Sequence, residues 1–462
     1  MTMRPALLLV LAVARLAAAS PGRADPLDTL GFGPRAAAMG TAGRAAGEAL
    51  EAPVQNAAAA ARGPGPRLAF GYLAAFPDAV LNGRDAGLEP AHGVVLGAAV
   101  PFRLGALHLG AALALHVPDR WLARIGLPGA TEPRLLRWSD WLHRTSLSGV
   151  LAVEIGGGFS LGAGATLLAD AVARGTIALD TAGGTPRGAA DVALAMPLRA
   201  AAVAGLLFEP APFLAFGVSF RDALAMDVDL DLDARAALDD EALSGAAHAH
   251  LAGAAYYTPR TLAFGAAARW AGFTLCVDVA WQMWSGLSDP FADAAAEVSL
   301  GGDAPILHRL FPHPAWLDTV LPAAGLEYEF SPAAGHRLAL RAGYAYEPSP
   351  VPPQTGLGNV ADPDRHLFSL GAGWKMTLDD GTEDLGEAPA GDRDLDQPPD
   401  IDEGDDGDPA RGARRELEAG LALQAHWLPA FRTEKTDPER VGGAFEAGGV
   451  VWALQFWTGV TW

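Results

Sequence analysis

The sequence predicts an all-β fold: a 14-stranded antiparallel transmembrane β-barrel with an N-terminal plug, or hatch, inside its lumen. Three observations predict it. Apolar residues alternate with small or polar ones in runs of about ten residues or more, longer than the five or six usual in soluble strands. Tight and long connections alternate between those runs, as they do on the two rims of outer-membrane barrels. A Gly/Ala-rich segment without any alternation precedes the first run.

In chain order, residues 1–24 come first. Arg4, the apolar run 6–13 and the small residues Ala17, Ala18 and Ala19 have the layout of a secretory signal, cut after Ala19 or after Ala24. The next segment, 25–65, contains "GFGPRAAAMGTAGRAA", in which Gly31, Gly33 and Ala36 match the G-x-G-x-x-A spacing of a dinucleotide loop. That spacing has meaning only after a buried strand, and the mature chain begins too close to it for one. Pro34 also removes a backbone N–H that a phosphate cradle would use. A plug fits better, because irregular backbone is tolerated at membrane depth only inside protein. A periplasmic arm is the alternative.

The barrel is expected over 66–462. Its runs lie near 67–76, 93–103, 106–116, 145–155, 158–169, 195–208 and 212–223, then 261–270, 273–284, 320–330, 336–346, 365–376, 414–427 and 447–462. In the last, Val450, Trp452, Leu454, Phe456 and Val460 share one face, against Val451, Ala453, Gln455 and Trp457. In "TLCVDVAWQM", Leu275, Val277, Val279 and Trp281 oppose Cys276, Asp278 and Gln282. Aromatic residues gather near the strand ends, as in lipid-spanning strands. Closure is required, since an open sheet edge in lipid leaves backbone groups unpaired. Long connections fall at 77–92, 117–144, 170–194, 224–260, 285–319, 347–364 and 428–446.

Composition excludes other classes. The lone Cys276 rules out an intrachain disulfide framework, and no apolar run after the signal reaches the length of a helical span. A formal charge of −21 argues against nucleic acid as a partner. No G-x-S-x-G, H-E-x-x-H or P-loop is present, so an enzyme is not expected. His248-x-His250 lies in a long connection without an obvious third ligand.

Two connections stand out. In 117–144, Trp121, Leu122, Ile125 and Leu127 precede a Pro-Gly turn, and Leu135, Trp138, Trp141 and Leu142 follow it. Their i, i+3, i+4 spacing suggests two short amphipathic helices, whose apolar faces mark a ligand or lipid contact or pack on neighbouring loops. The insert 378–412 replaces an expected tight turn, and from Asp379 to Asp408 it carries fourteen acids and one base. It is either a disordered acidic insert or a calcium loop, with Asp392, Asp394 and Asp396 as candidate ligands. Apart from that calcium, no cofactor is expected.

Two segments resemble the FadL-type long-chain fatty-acid transporters and their relatives that take up aromatic hydrocarbons. The first runs through Gly31, Gly33, Arg35, Met39, Gly40 and Asn56 and is similar to the family's hatch; the second, "RAGYAYEPSPVPPQTGLGNVADPDRHLFSLGAGW", carries Pro350, Pro352, Asp362, Asp364 and Arg365 and resembles its hairpin. "DVAWQMWSGL" is like a third family element. Thr41, Ala57 and Ala361 depart from the pattern, and the chain ends in Trp462 where most such barrels end in phenylalanine. The resemblance implies an outer-membrane protein that captures a fatty acid or similar hydrophobe in an extracellular loop groove. It also implies transfer to a lumen pocket beside the hatch and sideways release through the wall at an inward kink of the third strand. Implied partners are the hydrophobic ligand, outer-membrane lipid and, through the C-terminal aromatic strand, the barrel-assembly machinery. A lipid-handling enzyme of the outer membrane and a hydrophilic porin are the alternatives.

Overall fold

The computed structural model describes residues 26–105, 107–120, 133–138, 144–169, 171–180, 187–195, 198–237, 245–287, 293–300, 306–309, 315–354, 359–378, 415–435 and 444–462. The signal 1–24, the insert beyond Leu378 and its calcium candidates lie outside them, as do Trp121, Leu122, Ile125, Leu127, Trp141 and Leu142.

One closed antiparallel sheet holds fourteen long strands, with the two-residue strand Arg84–Asp85 added beside the first. We number them β1 (Arg67–Leu81), β2 (Ala91–Leu104), β3 (Leu107–Pro118), β4 (Ser146–Gly156), β5 (Phe159–Ala169), β6 (Leu198–Ala211) and β7 (Leu214–Arg221). The second half comprises β8 (Arg260–Trp270), β9 (Phe273–Met283), β10 (Thr319–Ala333), β11 (His336–Glu347), β12 (Arg365–Leu378), β13 (Arg415–Thr433) and β14 (Phe445–Thr461). Closure comes from β1, which pairs with β14 from Arg67↔Thr461 to Leu81↔Ala447 and with β2 from Arg67↔Ala99 to Ala75↔Ala91. Every backbone edge is thereby paired, as lipid demands.

The alternation sorts residues as the sequence implies. Leu275, Val277, Val279 and Trp281 are exposed on β9, whereas Cys276 and Asp278 are buried. On β13, Leu421, Leu423 and Trp427 face out and Gln424 and His426 are buried. Trp452, Leu454 and Phe456 on β14 are likewise exposed. An outward row of large apolar side chains around a closed sheet is the lipid face of a membrane barrel.

Three long connections are not irregular loops. Ala171–Asp180, Arg187–Ala195, Leu224–Ala237, Gly245–Thr258, Asp293–Leu300 and Ile306–Arg309 form a second, six-stranded sheet. Its signal was present in "MDVDLDLDARA", which alternates aspartate with Val228, Leu230 and Leu232, but the charge density hid the period. No described helix is long and apolar enough to cross a membrane.

Candidate functional site

The N-terminal segment packs into the barrel and makes its contacts from inside. Leu27, Leu30, Phe32 and Leu50 share one buried cluster with the inward-facing Leu73, Val95, Val451 and Trp457. The segment is built from the short helices Pro26–Leu30 and Pro34–Ala38 and the 3₁₀ turns Ala49–Glu51 and Ala57–Ala61. Proline suits the first turn of the second helix, where its missing N–H has no intrahelical acceptor. Gly40, at φ 64°, lies so near β11 that a Cβ would meet the Tyr344 amide nitrogen at 2.7 Å. Gly31 and Gly33 also hold positive φ, and Met39 is fully buried beside Gly325 and Gly343.

Close approach is general around the wall. The carbonyl of Ala60 lies against Gly110 of β3, Ala57 against Gly162 of β5, and the Asn56 side chain against Gly205 of β6. Any Cβ there would overlap the segment, so these glycines are the seat of the Ala57–Ala61 turn. Asn56 caps that turn by accepting from the Ala58 amide and ties it to β6 by donating to the Leu206 carbonyl at 3.0 Å. β3 pairs without interruption with β2, from Gly93↔Pro118 to Leu104↔Leu107, and with β4, from His108↔Glu154 to His116↔Ser146. The alanine turn lies against Gly110 of this strand.

Buried charges fasten the segment to the far wall. Arg35 donates through Nε and Nη2 to Glu327 of β10 at 3.0 and 3.1 Å, and lies 3.4 Å from Glu51. Arg341 of β11 donates to the same Glu327 at 2.6 Å. Burial alone would raise the Glu48 carboxyl, but Lys375, Arg67 and Arg35 outweigh it and hold it well below the usual range. Asp278 of β9 accepts from the Gly43 and Arg44 amides at 2.8 and 3.0 Å.

At the end of the barrel that bears the long connections, the two family-like segments meet. Arg365 donates to the Thr29 carbonyl at 3.1 Å and pairs with Glu347. The 133–138 turn is clamped over them. Arg134 exchanges backbone hydrogen bonds with Asn359 and Ala361, and Arg137 donates to Asp362 at 2.8 Å and to the Pro363 carbonyl at 2.7 Å. Asp362 is pushed up to about 6 by burial, which exceeds the pull of Arg137. Asp364 shapes the hairpin by accepting from Tyr346 and the Ser349 amide, while Pro350 and Pro352 supply carbonyls to Leu317 and Gln354. Leu135 and Trp138, each 1% exposed, are therefore core residues in this closed arrangement and not open surface. Trp138 packs edge-on against His426 at 5.1 Å.

Between the N-terminal segment and the wall from β6 to β11 lies a cavity of ≈ 1090 Å³, its open mouth included. Val203, Phe220, Ala263 and Leu321 are among its apolar lining residues. Arg44 and the Asp28–Arg221 pair also line it. The Nε of Arg44 is buried and has no hydrogen-bond partner among the described residues. Sequence reasoning passed over Arg44, Arg221 and the role of Asp278. The available signal was Asp278 itself, an ionisable residue at mid-strand in a membrane span, where such residues mark functional contacts.

The family model described as outer membrane protein transport protein (OMPP1/FadL/TodX) matches residues 140–389, more than half of the chain. Comparison with curated proteins finds no match. Among solved structures, a Pseudomonas aeruginosa FadL homologue is 15% identical with a TM-score of 0.52, covering 93% of this chain and 98% of its own. The deltaS2 mutant of the TodX monoaromatic hydrocarbon channel is 12% identical with a TM-score of 0.50, covering 94% and 100%. The P. putida toluene transporter TodX gives 14% identity, a TM-score of 0.48 and coverage of 94% and 99%. At these identities the likeness is one of fold.

Proposed function

Because the chain belongs to the outer membrane protein transport protein (OMPP1/FadL/TodX) family, we propose that it admits long-chain fatty acids or similar amphipathic hydrophobes through the outer membrane, using the cavity beside the N-terminal segment. One observation carries the reading: the cavity is lined by apolar side chains together with Arg44, whose buried Nε has no hydrogen-bond partner among the described residues. A carboxylate would complete that guanidinium with a charge-assisted hydrogen bond of about 1.5–3 kcal/mol, while its alkyl chain lay along the wall. Burial lowers the Arg44 pKa, and Asp278 offsets this only in part. An incoming carboxylate would reverse the deficit.

In this reading residues 25–65 act as the hatch, and the 117–144 connection with its tryptophans forms the entrance. Entry follows release of Arg137 from Asp362 and from Glu347, with which it also pairs at 3.1 Å, and this bares Leu135 and Trp138 to the ligand. Release follows withdrawal of the Ala57–Ala61 turn from its glycine seat, which frees β3 to bend. The exposed row Trp452, Leu454 and Phe456 meets lipid and, during insertion, the assembly machinery. The test compares binding of a long-chain fatty acid with that of its methyl ester to detergent-solubilised protein. Wild type should prefer the acid by about tenfold or more, from the bond above. Arg44→Met should erase the preference while leaving ester binding intact. An undiminished preference in the variant would show that the headgroup goes elsewhere.

A further inference from the structure

The cavity beside the N-terminal segment holds a second polar station that the headgroup contact does not use. Gln282 of β9 and Thr261 of β8 both line it, and they stand directly opposite each other in the ladder. Opposed residues share a face and bring their Cβ atoms within roughly 4.5–5.5 Å. Each side chain is oriented by a partner of single polarity. The Trp284 indole, which can only donate, gives its hydrogen to Gln282 Oε1 at 2.9 Å. The amide NH₂ of Gln282 is thereby turned the other way, and it has no acceptor among the described residues. Thr261 donates its hydroxyl hydrogen to the Pro259 carbonyl at 3.1 Å, so its oxygen is left as an acceptor. Arg221, its neighbour on the β7 side, is engaged with Asp28.

We propose that Gln282 and Thr261 form a hydroxyl-reading site, and that the hydrophobe this cavity takes carries an alcohol group along its chain. A hydroxyl accepts from one neighbour and donates to the next. It would accept from Gln282 Nε2 and donate to Thr261 Oγ1, completing both. A ketone can only accept and would leave Thr261 unmet. A plain alkyl chain would strip water from both groups and return no hydrogen bond, a cost that lets such sites reject the analogue lacking the hydroxyl. The station and the headgroup contact lie at different depths. Asp278, which accepts from the Arg44 amide at 3.0 Å, precedes Gln282 by four residues on β9, roughly 13 Å at about 3.3 Å per residue. That span is longer than an arginine side chain, so the hydroxyl belongs along the chain and not beside the carboxylate. The inference rests on the cavity being the ligand site, and on nothing else in the transport reading.

The experiment measures binding of hexadecanoic acid, and of its derivatives bearing one hydroxyl at successive positions along the chain, to the full chain in detergent. At least one mid-chain isomer should bind about tenfold or more tighter than the parent acid, and the matching ketone should not. Gln282→Leu should abolish that preference, and Thr261→Val, which keeps the shape, should weaken it severalfold. The readout is the ratio of the two affinities, so a general loss of binding does not mimic the result, and heat-modifiable migration establishes that each variant retains its barrel. Arg44→Met separates the two readings: it should erase the preference for acid over methyl ester and leave the preference for the hydroxylated chain. A wild type that binds the parent acid but no hydroxylated isomer more tightly, or a preference undiminished in both variants, overturns the proposal and leaves the headgroup reading standing. Binding of none of these acids overturns both.

Discussion

Replacing Glu327 with alanine should loosen the N-terminal segment without dismantling the barrel. The carboxylate receives three hydrogen bonds, two from Arg35 and one from Arg341. Removing one partner from a buried ion pair costs about 3–5 kcal/mol, because the other charge stays desolvated. Arg35 keeps Glu51 at 3.4 Å, which places the cost toward the lower end. Arg341 belongs to β11 whether or not the segment is seated, whereas Arg35 regains water when it leaves. Most of the penalty therefore falls on seating. About 3 kcal/mol corresponds to roughly a hundredfold loss in the seating equilibrium. The assay is single-channel conductance of the reconstituted variant, with entry of a bulky hydrophilic antibiotic into cells as a second readout. Both should rise while heat-modifiable migration is retained. In an Arg35→Met background, Glu327→Ala should add much less, a non-additivity of at least about 1.5 kcal/mol in a thermodynamic cycle. Unchanged conductance in a well-assembled single variant, or full additivity, would refute the reasoning.

Gly162→Val should act at the opposite wall, since a side chain there overlaps the Ala57 backbone; permeability should rise, and a silent substitution would remove the glycine seat from the account. Asp362 gives a pH signature. Burial raises its folded-state pKa from 3.8 to about 6, so the native protein binds more protons than the unfolded chain between those values. The stability this carboxyl contributes is thus full below pH 3.8 and lost as pH rises through 6, a change of about 3 kcal/mol at 1.36 kcal/mol per unit. Asp362→Asn should flatten that part of the unfolding midpoint measured against pH, and identical profiles would contradict the assignment. A protease added outside intact cells should cut in 224–260 or 285–319 but never in 378–412; external cleavage of the acidic insert would invert the topology.

Much of this was legible because alternation encodes the face of a strand. Leu421 and Leu423 announce lipid, and Gln424 and His426 announce the lumen, before any partner is known. Alternation does not encode what an inward residue meets. Gly110, Gly162 and Gly205 look like weak strand positions until Ala60, Ala57 and Asn56 are seen against them. Leu135 and Trp138 have the spacing of an exposed amphipathic surface, and their burial depends on Arg137 finding Asp362, 225 residues away. The second sheet was missed for a related reason: pairings such as His248↔Glu297 are set by register between distant connections, and charge density there resembles solvated loop.

The most direct measurement is initial uptake of a radiolabelled long-chain fatty acid by cells that lack other outer-membrane routes for it, with and without this protein. Correctly assembled wild type should raise the rate at low ligand concentration, and Arg44→Met should lower the gain about tenfold or more while leaving the methyl ester unaffected. Uptake no faster than in cells without the protein, together with a steady open-channel conductance for small ions, would contradict the account and point to a hydrophilic pore.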